Sequence, residues 1–390
     1  MSTMRFAQVE LKNWKNFTNL NVGLATRVFI VGPNAIGKSN LLDAFRFLRD
    51  LVMEGGGLAK AVSLRDGMGK VRSLYARQDT DVMLKVVVKD ASGAGWRYEL
   101  AFSHESVRNP RPVVVQELVD RLEADGREER KLTRPDEHDR GDRERLTQTA
   151  LQQVTANQDF RELADFLRSV SYLHLVPQLL REEQTPRAGG LGPDPYGRDL
   201  LDRIRNTTPR QQKARLRRIE KVLRIVAPQL EGLRLELDAH GHPHLEGKFK
   251  HWRPQGAYQN ETQLSDGTLR LIGFLWALQE PAGPLLLEEP ELSLHTAIVK
   301  RLAPFIHRAQ QAGKGRQVIL STHSEHLLMD VGIAPEEVLL VQPATEGSEV
   351  IEGAGPSGIV KLMQSGLTAS EAILPITETR QMALFDRLDV

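Results

Sequence analysis

Apolar and polar positions alternate through much of the first hundred residues, and one stretch breaks into helical spacing. The alternation predicts strands over Met4–Leu11 and Leu20–Leu24, and the short apolar run Val28–Val31 stops at the turn pair Gly32-Pro33. In Asn40–Met53 the apolar residues Leu41, Leu42, Phe45, Leu48 and Leu51 recur at helical intervals, which predicts a helix directly after that turn. Val82–Val88 and Trp96–Phe102 flank a turn containing Gly93 and Gly95 and read as a hairpin.

The middle of the chain has another texture. Asp125–Arg145 is dense in charges of both signs and holds Gly126, Pro135 and Gly141, so an exposed loop or a frayed helical insertion is expected. Leu163–Val170 reads as helix, Tyr172–Val176 as a short strand, and the Gly- and Pro-rich Thr185–Tyr196 as a loop. Arg210–Ile225 is an amphipathic helix with Leu216, Ile219 and Leu223 on its apolar side. Leu233–Leu237 and His244–Glu246 form a second expected hairpin around Gly241.

The last third alternates helix and strand: helix Leu269–Leu278, strand Leu285–Leu287, helix Thr296–Gln311, strand Gln317–Leu320 and strand Val338–Gln342. Such alternation predicts an α/β sheet. The prolines between Pro110 and Pro228 exclude a long uninterrupted coiled coil. The expected organisation is a core in two halves, residues 1–105 and 255–350, around an inserted helical and β lobe at 106–254, with a tail at 351–390.

Composition narrows the function classes. The chain has 390 residues, and its 52 Lys and Arg balance 51 Asp and Glu, so it exerts no global pull on nucleic acid; binding there needs a local patch. It has no cysteine, which excludes disulfides, thiolate nucleophiles and cysteine-ligated zinc. Leu271–Leu278, the best apolar run, is too short to cross a bilayer, and the N-terminus lacks a signal-peptide core, so a cytoplasmic location without membrane association is expected.

The strongest chemical signal is Gly32-Pro33-Asn34-Ala35-Ile36-Gly37-Lys38-Ser39, set between an apolar strand and a helix beginning near Asn40. This is the spacing of a phosphate loop. Its glycines let backbone N–H groups curl around phosphate oxygens, Lys38 reaches the β- and γ-phosphates, and the Ser39 hydroxyl suits Mg²⁺. Lys38 is expected to be exposed in the loop. Downstream, the strand Leu285–Leu287 ends in Glu288-Glu289-Pro290, where Glu288 would hold the Mg²⁺ shell and Glu289 would polarise the attacking water. Ser265-Asp266-Gly267-Thr268 opens a helix, where Ser265 or Asp266 could serve only as a cap. Ser321-Thr322-His323-Ser324 is a polar cluster at another strand end, where a histidine could be purely structural.

The order of these four motifs resembles that of an ABC-type ATPase head. Within that superfamily Leu11-Lys-Asn-Trp-Lys-Asn-Phe17 is similar to the opening of the SMC/RecF/OLD branch. Leu41–Asp50, Leu264–Arg270, Glu288–His295 and Ser321–Ser324 most resemble compact RecF-like bacterial ATPases of the AAA family. The resemblance runs from about Phe6 to about Glu352 and is weakest over Arg108–Ala156. It implies a P-loop NTPase fold, an ABC-ATPase-like head with a meander β subsheet and a helical lobe. It also implies ATP hydrolysis with Mg²⁺ by a head-to-tail pair, in which Ser265 and Gly267 of one subunit complete the phosphate loop of the other and His323 senses the γ-phosphate. Two departures stand out: Glu288 replaces the usual Walker B aspartate, and Ser265-Asp266-Gly267 replaces the transporter Ser-Gly-Gly. ABC heads also place a Mg²⁺-sensing glutamine after a strand. Pro177-Gln178 fits that place, although an exposed loop glutamine fits as well, and Gln116, inside a strand-like run, fits less well.

Arg210, Lys213, Arg215, Arg217, Arg218, Lys221 and Arg224 form one basic patch; Lys248, Lys250 and Arg253 with Phe249 and Trp252 form another. Either could follow a phosphate backbone or face water. His240-Gly-His-Pro-His244 lies where a hairpin turn is expected; with no acidic or cysteine partner expected nearby, it reads as a turn and not as a metal site. The leading functional expectation is an ATP-dependent dimerisation switch with DNA as a candidate partner and a separately encoded nuclease or toxin as effector. The alternatives are a transporter-type nucleotide-binding subunit and a nucleotide sensor that does not hydrolyse.

Overall fold

Fifteen strands form three sheets in the computed structural model, which describes residues 4–77, 79–106, 111–182, 192–252, 257–281, 283–312, 315–355 and 358–377. Residues 185–191 of the expected Gly- and Pro-rich loop, Arg253, and residues 378–390 of the tail lie outside the described residues. The strands are β1 (Arg5–Trp14), β2 (Phe17–Gly23), β3 (Arg27–Val31), β4 (Val82–Lys89), β5 (Gly95–His104), β6 (Pro112–Leu122), β7 (Glu128–Arg134), β8 (Ser171–Leu173), β9 (Leu230–Leu237), β10 (Pro243–Phe249), β11 (Ala257–Gln259), β12 (Leu285–Glu288), β13 (Val318–Thr322), β14 (Val338–Pro343) and β15 (Ser348–Glu352). The first sheet is an antiparallel meander, β2-β1-β4-β5-β6-β7. The second runs β15-β14-β3-β13-β12-β8 and is parallel except for β15; the third is β11-β10-β9.

The parallel sheet is the middle layer, which explains why its strands read as unbroken apolar runs. Every residue of β3 and β13 is buried. Val28, Ile30, Leu286 and Ile319 face one core, shared with the meander and the helix Lys38–Val52. Phe29, Val31, Leu285, Leu287, Val318 and Leu320 face the other, shared with the helix Asp266–Gln279. Leu41, Leu42, Phe45, Leu48 and Leu51 are buried in the first core, and the Phe45 ring lies 4.8 Å from that of Phe6 on β1. Burial of each such side chain contributes about 1.5–3 kcal/mol. The helix is also tied down by charge: Asp43 pairs with Lys15 at 2.6 Å and Arg65 at 2.7 Å. Burial alone would raise the Asp43 carboxyl, but the Arg65 cation overrides it and holds the group well below the usual carboxylate range.

Several expectations need correction. Asp125–Arg145 is neither loop nor frayed: it holds β7 and the helix Glu137–Gly141, because buried Arg134 binds both Asp139 (2.9 Å) and Glu117 (3.1 Å). The boundary expected at 105/106 runs through the meander, where β5 pairs with β6 from Gly95↔Leu122 to His104↔Pro112. The expected helix Thr296–Gln311 is two, Thr296–Val299 and Leu302–Ala312. The strand expected over Tyr172–Val176 ends at Leu173. No helix among the described residues is long and apolar enough to cross a membrane.

Candidate nucleotide-binding site

The C-terminal ends of β3, β13 and β12 lie side by side, since Val31 pairs with Thr322 and Ser321 with Glu288. The loops leaving these strands therefore meet at one edge, the usual ligand edge of a parallel sheet. From β3 comes the loop Gly32–Gly37, and the helix starts at Lys38, with its first N–H groups free to meet an anion.

The loop is braced from outside. Asn16 donates to the Ile36 carbonyl at 2.7 Å and accepts from the Asn40 side chain at 2.7 Å, and Ser348 donates to the same Ile36 carbonyl at 2.8 Å. Trp14 donates its indole N–H to the Asn40 carbonyl at 2.8 Å. Gly37 has a φ of +104°, and a Cβ there would stand 2.0 Å from the Asn16 amide nitrogen. Only glycine meets both conditions. Pro33 and Ile36 are half-buried, whereas Asn34 and Ala35 are exposed at the tip.

The expectation of an exposed Lys38 fails, for the side chain is 5% accessible. Its Nζ donates to the carbonyls of Gly32 and Pro33, each at 2.8 Å. Desolvation lowers its pKa, against the pull of Glu289, Glu291 and Glu288. Ser39 is exposed, and its hydroxyl contacts Glu288 Oε1. The other Glu288 oxygen accepts from the Tyr172 hydroxyl. This cluster of hydroxyl and carboxylate oxygens suits a hard cation such as Mg²⁺.

Glu289 has a left-handed backbone, φ +43°, unusual for a residue other than glycine, and its N–H donates to the Ser321 carbonyl at 3.1 Å. Its carboxylate lies 3.2 Å from Nδ1 of His323, which is exposed. Lys38, Ser39, Glu288, Glu289 and His323 are thus gathered at one edge. Ser265 caps the helix Asp266–Gln279 by accepting from the Thr268 N–H at 3.3 Å. A Cβ on Gly267 would meet the Ser293 carbonyl at 2.6 Å, so this glycine allows the acidic turn after β12 to pack closely. Among the described residues, no hydrogen bond joins Ser265 or Gly267 to residues 32–40.

Gln178 is not brought to Ser39 and Glu288. It sits on the short helix Pro177–Arg181 and donates to Asp266 at 2.7 Å. Arg181 pairs with the same carboxylate at 2.6 Å. Gln116 lies within β6, as expected of it. His240, His242 and His244 belong to the β9–β10 hairpin, but acidic neighbours are present after all: His244 contacts Glu261 at 2.7 Å and Asp238 at 3.7 Å. The hydrogen bond to Glu261 raises the His244 pKa. Among the described residues no group of three or more His, Cys, Asp or Glu is placed to hold a metal.

Sequence reasoning missed Asn16, Tyr172, Glu291 and Ser348. Asn16 carried a signal, since it belongs to the opening Leu11–Phe17 that resembles the RecF-like branch. The first basic patch is a true face: Arg210, Lys213, Arg217, Arg218, Lys221 and Arg224 are exposed on the helix Pro209–Val226, while Arg215 is buried against Trp276.

A parallel sheet carrying a phosphate loop, a paired carboxylate strand end and a strand-end histidine defines the class as a P-loop ATPase head. The chain belongs to the family described as "AAA domain, putative AbiEii toxin, Type IV TA system", whose model matches residues 27–330. It is 32% identical over 85 residues to Endonuclease GajA of Bacillus cereus (strain VD045), a match spanning 22% of this chain and only 13% of that protein. The fold is similar to two solved SMC heads. One, the SmcHead bound to the C-winged helix domain of ScpA, has TM-score 0.50 and 17% identity, covering 89% of this chain and 96% of that one. The other, a Pyrococcus furiosus Smc head with an extended coiled coil bound to the C-terminal domain of ScpA, has TM-score 0.52 and 13% identity, covering 93% and 99%.

Proposed function

We propose that this chain is a cytoplasmic ATP-hydrolysing switch that pairs head to tail on ATP and acts, with a separately encoded nuclease or toxin, in DNA repair or anti-phage defence. The observation that carries the reading is the convergence of Lys38, Ser39, Glu288, Glu289 and His323 at the ends of three adjacent strands. The loop N–H groups and Lys38 bind the phosphates. Ser39 and Glu288 would hold Mg²⁺, which neutralises phosphate charge. Gln178, expected in that shell, would have to leave Asp266 to reach it. Glu289 orients and polarises the attacking water, and His323, 3.2 Å away, meets the same phosphate. Ser265 and Gly267, which make no hydrogen bond with their own loop, complete the loop of a second subunit.

DNA is the candidate ligand of the basic helix. The side chains of Arg210, Lys213, Arg217 and Lys221 make no hydrogen bond or ion pair among the described residues. Lys213, Arg217 and Lys221 repel one another at four-residue spacing, and Arg210 opposes the positive helix N-terminus, which has no acid in its first turn. A polyanion relieves both costs. The similarity to an endonuclease over 85 residues supports a setting in nucleic-acid metabolism. Phosphate release by the purified chain with Mg²⁺-ATP, read beside the dimer fraction in ultracentrifugation, tests the switch; absence of both turnover and ATP-dependent pairing would overturn it.

A further inference from the structure

Glu291 closes the run Glu288-Glu289-Pro290-Glu291, and the hydrolytic roles assigned to Glu288 and Glu289 leave it without a task. It is only 6% exposed, where a carboxyl is costly unless satisfied. Its Oε1 accepts from the Thr322 hydroxyl at 2.5 Å, while its buried Oε2 has no hydrogen-bond partner. The same Thr322 oxygen accepts the Ser324 N–H at 3.0 Å. These two bonds bracket His323. On the other side, Glu291 belongs to the turn that follows Glu289, fixed by Leu292 N–H to the Glu289 carbonyl at 3.2 Å and Leu294 N–H to the Glu291 carbonyl at 3.0 Å. One buried carboxyl therefore joins the turn carrying Glu289 to the turn carrying His323.

We propose that Glu291 is a positioning residue that locks the Glu289 turn to the His323 turn through Thr322, so that both groups face the same phosphate. The proposal rests on the hydrolytic reading above and adds a residue to it. The bond needs an acceptor oxygen and no net charge. Burial favours the neutral form, pushing the Glu291 carboxyl above its usual range against the pull of the Thr322 hydrogen bond. Glutamine therefore serves as well as glutamate, whereas the same exchange at Glu289 removes the group that polarises water.

Steady-state ATPase assays on the full chain test this, with titration of a non-hydrolysable ATP analogue beside them. Glu291→Gln should keep wild-type turnover. Glu291→Ala and Thr322→Val should each lower kcat about 10–100-fold, the usual cost of losing an orienting partner, with KM and analogue affinity unchanged. In the His323→Ala background, Glu291→Ala should cost less than it does alone, because only the placement of Glu289 is then left to lose. If Glu291→Ala proves unfolded by circular dichroism, Thr322→Val reads the same bond from its other end. Turnover lost in Glu291→Gln would mean that the charge itself is needed and would overturn the proposal. So would full activity in Glu291→Ala or Thr322→Val, or losses that multiply with that of His323→Ala. A wild type without turnover would sink the hydrolytic reading as well. A wild type stopped by Glu289→Gln but indifferent to Glu291→Ala would sink only this assignment.

Discussion

The side-chain amide of Asn16 donates to the Ile36 carbonyl at 2.7 Å, so the strand turn before β2 sets the shape of the phosphate loop. Asn16→Ala removes this bond and the one received from Asn40. With each hydrogen bond worth about 0.5–1.5 kcal/mol net, the loop should loosen, thermal stability should fall modestly and ATP should bind more weakly. Unchanged ATP affinity by calorimetry would show that the loop keeps its shape without Asn16.

What was legible in the sequence was local. The spacing of Gly32, Gly37, Lys38 and Ser39 and the apolar runs of β3, β12 and β13 needed no knowledge of distant neighbours. What was not legible depended on pairs far apart in the chain. β7 was hidden because hydropathy cannot see that Arg134 is neutralised by Glu117 and Asp139. The hydrogen bond from Gln178 was not legible because its partner, Asp266, lies 88 positions on. The exposure of Lys38 was misjudged because the acceptors are backbone carbonyls of its own loop, which composition does not reveal.

Those carbonyls shape the expectation for Lys38→Ala. The exchange strands the Gly32 and Pro33 carbonyls as well as removing the charge proposed to meet phosphate. Charged hydrogen bonds are worth about 1.5–3 kcal/mol, so ATP affinity should fall at least about tenfold, with a small drop in melting temperature. Titration with a non-hydrolysable analogue checks it, and wild-type affinity would remove Lys38 from the site.

Glu289→Gln keeps the size of the side chain and its left-handed backbone while removing the carboxylate beside His323. Binding should persist, hydrolysis should slow about 10²–10⁴-fold, and a closed dimer should accumulate on ATP. Should Glu288→Gln abolish turnover while Glu289→Gln stays active, the two roles are exchanged.

The basic helix makes a salt-dependent prediction. Arg210 to Arg224 span about 21 Å along the axis at 1.5 Å per residue. If the exposed cations of this helix meet phosphates, Arg217→Glu with Lys221→Glu should weaken binding to duplex DNA. The salt dependence should flatten too, by about 0.9 in log–log slope for each phosphate no longer neutralised. The helix itself should lose little, because the exchange turns the repulsion between Lys213 and position 217 into attraction, while positions 217 and 221 keep like charges. Fluorescence anisotropy across a salt series gives the answer, and an unaltered slope would leave the patch as a solvated face.

The proposed composite site gives the most demanding test. Ser265 lies at a helix N-terminus, where its hydroxyl and the Gly267 N–H favour an anion, yet neither is hydrogen-bonded to residues 32–40 of its own chain among the described residues. Two-fold pairing would bring each Ser265–Thr268 segment, the signature, to the other subunit's loop and bury two ATP molecules between them. A Lys38→Ala subunit has a sound signature and a defective loop; a Ser265→Arg subunit has the reverse. Each should be inactive alone. Mixed, they form one intact site per heterodimer, and partial ATPase activity should return. Ser265 is also a cap, so Ser265→Arg will cost about 0.5–2 kcal/mol of helix stability, and circular dichroism must first show the variant folded. With both variants folded and exchanging subunits, a mixture that stays inactive argues against sharing of the site between subunits. Full activity of Ser265→Arg alone refutes it outright, because a loop that hydrolyses ATP beside an arginine at the signature does not need that signature.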